Sequence, residues 1–390
     1  MDNIHKFQDG RTNSIRVLVV DDTIVYRKSI SDALSRLPDI EVIGSAPNGK
    51  IAINKIKSLS PDIITLDIEM PEMNGLEVLE WMANETPNVS AIVLSNFTTK
   101  GGEMTIKALE LGAFDFIPKP QSGSLSENRE KLEKSLSSIL TAYKRSAEIR
   151  RILGKNLPLT KNNLSLRSYQ QHNSVKKTHV PQTKPSRSEI IAIGISTGGP
   201  KALAEMLPQL PPDLGVPILI VQHMPPLFTT SLAKNLDSKS GISVKEAVDG
   251  EIILPNIAYI APGGKQMKLA TDEKSLHKII QITDDPPENS CKPSVDYLFK
   301  SVAQYYSGKA TGVIMTGMGQ DGSLGLKKMK ENGAVIIAQD QQTCVVFGMP
   351  KGPIENGIVD IISPLQNMAM EIYRTVNPEI FLLKDKKPIL

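Results

Sequence analysis

Between residues 15 and 120, short β-branched runs alternate with segments in which apolar residues recur at helical spacing. The runs IRVLVV, VIGSA, DIITLDI, AIVLSN and DFIPK are almost wholly apolar, as strands buried on both faces must be. Strand, helix and strand in regular succession predict a parallel sheet with helices on both faces, here a first domain over residues 14–125. The stretch ENREKLEKSLSSILTAYKRSAEIRRIL then keeps a helical period with charges on its outer side, and reads as a helix leaving that domain. From Gly154 to Ser188 the period vanishes among Lys, Asn, Gln, Ser and Thr, so exit helix and a flexible basic linker fill residues 126–188. A second series starts at Glu189 with IIAIGIS, PILIVQH, TGVIMTG and AVIIAQ, giving another domain over residues 189–375. Residues 257–282 differ: IAYIAP, KQMKLA and HKIIQI, arranged around the polar TDEKS, predict a β-hairpin inserted into the parallel sheet. The expected class is α/β, with two doubly wound parallel-sheet domains, the second Rossmann-like.

Composition narrows the function classes. A length of 390 residues suits two domains, and a formal net charge of +3 is too weak to argue for nucleic acid or a membrane surface. The linker lysines lack the interleaved aromatics and arginine density of a nucleic-acid tail. Two cysteines, Cys291 and Cys344, supply neither a disulfide framework nor a zinc spacing. No apolar run is long enough to span a bilayer, and the opening MDNIHKFQDGR lacks a signal-peptide core. A cytoplasmic protein is expected, with no nucleic-acid partner and no membrane insertion.

Chemistry enters at the ends of the apolar runs. VLVVDD places Asp21 and Asp22 just beyond one strand, and IITLD places Asp67 at the end of another. In a doubly wound sheet these carboxyl ends converge on one crevice, where three carboxylates call for a hard divalent cation such as Mg²⁺. Ser95 and Lys119 end two further strands, adding a hydroxyl and an ammonium of the kind a phosphorylated carboxylate requires. An Asp pair ahead of a helix is ordinarily an N-cap, but five such residues at successive strand ends are not coincidence. Residues 15–120 resemble the receiver domain of two-component response regulators. The resemblance implies a flavodoxin-like strand order, Asp67 as phospho-acceptor, and Asp21, Asp22 and Asp67 as the Mg²⁺ ligands. It also implies Ser95 and Lys119 as phosphoryl contacts, Phe116 as the switch aromatic, and a cis bond between Lys119 and Pro120.

In the second domain IIAIGISTGGPK breaks from a strand into glycine and serine. It fails the P-loop pattern, because Pro200 follows Gly199 and Lys201 has no hydroxyl neighbour. GISTG does satisfy G-x-S-x-G, which mounts a nucleophile, here Ser196, on a sharp strand-to-helix turn. Of five histidines only His223, in PILIVQHMPP, ends a buried-strand run; His5, His172 and His179 lie in tail or linker and His277 on the hairpin. TGVIMTGMGQDG brings Asp321 to the same edge, although aspartates before helices commonly serve as caps. Ser, His, Asp in that order is not the α/β-hydrolase order, and triads are recognised by role. GISTGGP, QHMP and TGMGQDG together look like the catalytic domain of chemotaxis protein-glutamate methylesterases, over about residues 189–370.

That resemblance implies hydrolysis of glutamyl methyl esters on the cytoplasmic helices of chemoreceptors, releasing methanol, and deamidation of receptor glutamines. It implies phosphorylation by a chemotaxis histidine kinase, a catalytic half that needs no cofactor, and roles for the Met318 N–H at the oxyanion and Thr197 in support. The family commonly carries His-Arg ahead of the Pro-Ser that opens the helix after the hairpin. Cys291 and Lys292 stand there instead, so the guanidinium fork that grips carboxylates is missing. Cys291 is read as incidental, for want of a histidine partner. A receiver joined to a non-catalytic binding domain, or a serine hydrolase for another acyl substrate, are the alternatives.

Overall fold

The computed structural model describes residues 14–120, 124–152, 187–273 and 275–379. Most of the expected linker therefore lies outside the described residues. The first domain runs β1 (Ile15–Val20), α1 (Ile24–Leu34), β2 (Ile40–Ala46), α2 (Gly49–Leu59), β3 (Ile63–Asp67), α3 (Gly75–Glu85), β4 (Ser90–Ser95), α4 (Thr99–Glu110), β5 (Asp115–Pro118) and α5 (Leu125–Ile152). Its five strands are parallel in the order β2-β1-β3-β4-β5, as expected. Helices start where a side chain accepts the first free N–H groups: Thr23, Asn48, Asn74 and Thr98 cap α1 to α4. Val17–Val20 are fully buried, and α5 covers one face with Leu132, Leu136, Leu140 and Tyr143.

The second domain runs β6 (Ile190–Ile195), α6 (Gly199–Met206), β7 (Ile218–Gln222), α7 (Phe228–Asp237), β8 (Ser243–Glu246), β9 (Ile257–Ile260), β10 (Gln266–Thr271), β11 (Lys278–Thr283), α8 (Val295–Tyr306), β12 (Ala310–Ile314), α9 (Ser323–Glu331), β13 (Val335–Gln339), α10 (Lys351–Glu355), β14 (Ile361–Ser363) and α11 (Leu365–Val376). Seven strands form one parallel sheet in the order β14-β13-β12-β6-β7-β9-β8. The hairpin expectation needs correcting. Only β10 and β11 pair as an antiparallel hairpin, and they form a separate two-stranded sheet packed on α8. IAYI instead becomes β9 within the main sheet, because it is apolar on both faces, whereas KQMKLA and HKIIQI present one buried face. Among the described residues no helix is long and apolar enough to cross a membrane.

The two domains are packed together. Helix α4 lies against α7, so close that a Cβ on Gly102 would sit 2.6 Å from Ser231 Oγ. Phe228 receives Phe97 edge-on at 5.7 Å and Phe116 at 4.7 Å between ring centres. Lys239 pairs with Glu110, and Ser146 Oγ of α5 donates to the Val345 carbonyl at 2.7 Å.

Candidate active site

Ser196 follows β6, His223 follows β7, and Asp321 lies in the loop after β12. These three strands are neighbours, and the chain leaves β6 for one side and β12 for the other, the switch point at which such sheets hold their sites. Gly198, at φ +79°, makes the turn after Ser196, and Pro200 opens α6 without any side-chain cap. Buried Gln222 steadies the turn by donating from Nε2 to the Ser196 carbonyl at 3.0 Å.

His223 Nε2 and Asp321 Oδ2 are 2.8 Å apart. Asp321 is buried and takes four further donors: Val295 N at 2.7 Å, Asn289 Nδ2 and Ser294 Oγ at 2.9 Å, and Asp296 N at 3.1 Å. Two of these are free N–H groups of the first turn of α8, where a carboxylate is favoured by the helix dipole. Burial works to raise the Asp321 carboxyl, but the hydrogen bonds from His223, Asn289 and Val295 outweigh it and hold it down at about 2. Burial likewise opposes the charge on His223, yet Asp321 and Cys291 push its pKa up to about 9. With Nε2 committed to Asp321, the lone pair of the neutral ring is left on Nδ1.

Ser196 and His223 line one small cavity of about 30 Å³, whose other walls include Leu109, Asp115 and Phe116 of the first domain. No hydrogen bond joins Ser196 Oγ to His223 among the described residues. Thr197 Oγ1 donates to Asp115 Oδ2 at 2.7 Å across the domain boundary. Burial raises the Asp115 carboxyl to about 6, against the lowering effect of the Thr197 and Phe116 hydrogen bonds. Met318 lies in the loop before Asp321; its Sδ accepts from Ser138 Oγ of α5 at 3.8 Å. Its N–H meets no acceptor among the described residues.

The acidic residues converge as expected. Single oxygens of Asp21, Asp22 and Asp67 lie within 4.8 Å of one another, Asp22 being exposed and the others buried. Lys119 Nζ reaches Asp67 Oδ2 at 2.7 Å and Asp21 Oδ2 at 2.9 Å. One ammonium does not balance three carboxylates. Burial first, with Asp21 and Asp22 adding and Lys119 opposing, raises the Asp67 pKa to about 6. Ser95 Oγ donates to the Gly101 carbonyl at 3.2 Å and accepts from Thr105 Oγ1 at 2.5 Å. The Lys119–Pro120 bond is trans: among the described residues the cis bond is Lys292–Pro293.

Sequence reasoning missed the cradle of Asp321, although NSCKPSVD contains it. Asn289 and Ser290 are both left-handed, at φ +53° and +62°, and close a tight turn in which Glu288 and Cys291 exchange main-chain hydrogen bonds. The reading of Cys291 as lacking a histidine partner is wrong, because its Sγ lies 3.9 Å from His223 Nδ1. Lys292 is committed to Asp284, donating to its carbonyl at 2.9 Å.

Two family profiles match: CheB methylesterase over residues 191–372, and response regulator receiver domain over residues 17–129. A protein-glutamate methylesterase/protein-glutamine glutaminase of Desulfotalea psychrophila is 52% identical over 366 residues, covering 93% of this chain and 99% of its own. Its namesake in Bacillus subtilis is 44% identical over 370 residues, covering 94% and 99%. The Thermotoga maritima CheB methylesterase catalytic domain is 42% identical, covering 48% of this chain and 98% of its own, with a TM-score of 0.47.

Proposed function

Because the chain belongs to the protein-glutamate methylesterase/protein-glutamine glutaminase family, we propose that Ser196, His223 and Asp321 are its catalytic triad. The substrates are glutamyl methyl esters, and glutamines, on the cytoplasmic helices of chemoreceptors, and the protein works in the cytoplasm. The observation that carries this reading is the His223–Asp321 pair at 2.8 Å, whose ring lines one cavity with Ser196.

Ser196 Oγ attacks the side-chain carbonyl while the neutral form of His223, the minor form below about pH 9 in this arrangement, takes its proton at Nδ1. The oxyanion that forms is met by the Met318 N–H, with Thr197 in support. His223 then returns the proton to the departing methoxide, giving methanol, or to the departing amide nitrogen, giving ammonia, and an acyl-enzyme is left. Water, deprotonated by the same nitrogen, releases the glutamate. Asp321 stays ionised throughout; it fixes the tautomer and offsets the imidazolium charge.

The described arrangement is the resting one. A cavity of about 30 Å³ holds little more than one water, so no glutamyl side chain reaches Ser196 while Asp115 and Phe116 stand there. Asp67 is the phosphate acceptor from a chemotaxis histidine kinase, and Asp21, Asp22 and Asp67 suit Mg²⁺. All three offer hard oxygens, and buried Asp21 Oδ2 accepts no hydrogen bond beyond its ion pair with Lys119. Bound there, the ion would offset the charge of the phosphoryl oxygens. Lys119 holds Asp67 in place, and Ser95 must turn from Gly101 to contact the phosphoryl group.

The test is methanol release from methyl-labelled receptor, with and without a small-molecule phosphodonor. Ser196→Ala should abolish release while keeping the circular dichroism of the parent; in a serine protease the loss is about 2 × 10⁶ in kcat. A variant retaining a tenth of parental activity places the chemistry elsewhere.

A further inference from the structure

Cys291 is not a member of the proposed triad, yet its Sγ approaches the Nδ1 atom of His223 at 3.9 Å. This is a prepared contact. The tight turn from Glu288 to Cys291 fixes the thiol's position, and Asn289 within that turn ties it to Asp321 and to Asp296. Cys291 and His223 are each only partly buried, with 16% of the His223 side chain exposed. One donor atom from each of His223, Cys291 and Asp321 lies within 4.8 Å of the others.

We propose that Cys291 Sγ and His223 Nδ1 form a binding site for a thiophilic divalent ion, zinc foremost, and that filling it switches the esterase off. A thiolate and an imidazole are the donors zinc prefers, whereas the all-oxygen pocket around Asp67 suits harder ions. Zinc–sulfur bonds of about 2.3 Å and zinc–nitrogen bonds of about 2.0–2.1 Å at a tetrahedral angle put the two donors roughly 3.6 Å apart. The 3.9 Å observed needs only a few tenths of an ångström of closure. A zinc-ligating imidazole usually gives its other N–H to a carboxylate, and His223 already does so to Asp321. Asp321 itself, holding five donors, stays in that outer position. Two coordination positions remain for water.

Binding displaces the thiol proton and, from the protonated ring, the Nδ1 proton to solvent, and Nδ1 gives the freed lone pair to the metal, so zinc, thiolate and imidazole together carry one net positive charge. Only the inhibitory half rests on the triad reading: Nδ1 is the nitrogen that would take the Ser196 proton, and a metal-bound nitrogen cannot take it. The metal site itself stands or falls separately.

The experiment uses the full chain after chelator treatment. Titrated with Co²⁺, it should develop a near-ultraviolet thiolate-to-cobalt band that added Zn²⁺ abolishes. Cobalt in the Asp67 pocket gives no such band, since its donors are oxygens. Cys344, the other cysteine, has its thiol pKa pushed up by burial and by Asp340 and is disfavoured as the source. Cys291→Ala and His223→Gln should each lose the band. Methanol release, taken as the ratio with and without micromolar Zn²⁺, should fall in the parent and recover with chelator. Cys291→Ala and Cys291→Ser should need at least tenfold more zinc for the same fall. A band that persists in Cys291→Ala, or zinc inhibition unchanged in both cysteine variants, overturns the proposal. A Cys291-dependent band in a protein that releases no methanol under any condition upholds the metal site and sinks the esterase reading.

Discussion

Asp321 is the residue on which fold and proposed chemistry both depend. Three donors converge on Oδ1 and two on Oδ2, so Asp321→Asn turns an NH₂ group against N–H or O–H donors whichever way the amide lies. That variant should lose roughly 10⁴ in kcat, as the equivalent change does in a serine protease. It should also lose about 1–3 kcal/mol of stability, the cost of one unmatched buried polar group. Rates and denaturant midpoints measured together check both; full stability with full activity would remove Asp321 from the site. Ser196 and His223 were legible as candidates because each ends an apolar run where a strand must stop, and Asp321 because it follows a glycine-rich turn at the start of a helix. The Cys291 contact was not, since 68 positions separate it from His223 and only the left-handed turn at Asn289 and Ser290 brings them together. The trans bond at Lys119–Pro120 likewise departs from what the resemblance implied, and nothing local in the sequence distinguishes it.

At the level of elements, the receiver sheet and the long exit helix α5 could be read directly, because their apolar runs are long and regularly spaced. Strands β8 and β14, of four and three residues at the two edges of the second sheet, were too short to leave a pattern. Contacts between domains are likewise invisible to periodicity. Strand β5 shows why they matter, since its first residue, Asp115, accepts from Thr197 of the second domain and is raised to about 6 from 3.8 by burial. Docked, this carboxyl holds its proton more tightly than it would in water, so acid favours docking. The contact is strongest below the ordinary value of 3.8 and weakens as pH rises through about 6. Asp115→Asn stays neutral and still accepts from Thr197, so it should tighten the cover at neutral pH. Expected is a several-fold fall in basal methanol release at pH 7.5 and a smaller difference near pH 5. Dividing by the rate of a chain lacking residues 1–186 at each pH removes the esterase's own pH dependence. A ratio independent of the substitution would mean that Asp115 does not govern the contact.

For the whole molecule, the question is whether the first domain restrains the second. Removing residues 1–186 should raise basal methanol release, because Leu109, Asp115 and Phe116 no longer wall the cavity beside Ser196. Asp67→Asn should keep the basal rate of the intact chain yet ignore phosphodonor, since an amide forms no aspartyl phosphate. A truncated protein slower than the unphosphorylated intact one would end the covering account, even with Asp67 confirmed as the acceptor. The ring stack at the boundary carries a consequence of its own. Phe116, two strands from Asp67, lies 4.7 Å from Phe228, so the side chain expected to register the phosphoryl group is also one that holds the domains together. Energetic coupling between two such events is reciprocal. If phosphorylation drives the domains apart by some factor, anything that keeps them apart must favour the phosphorylated form by that same factor. A receptor segment lodged in the cleft would then do more than await cleavage. It would act as an effector of the distant aspartate, prolonging the signal that admitted it, and an abundance of methylated receptor would sustain its own demethylation.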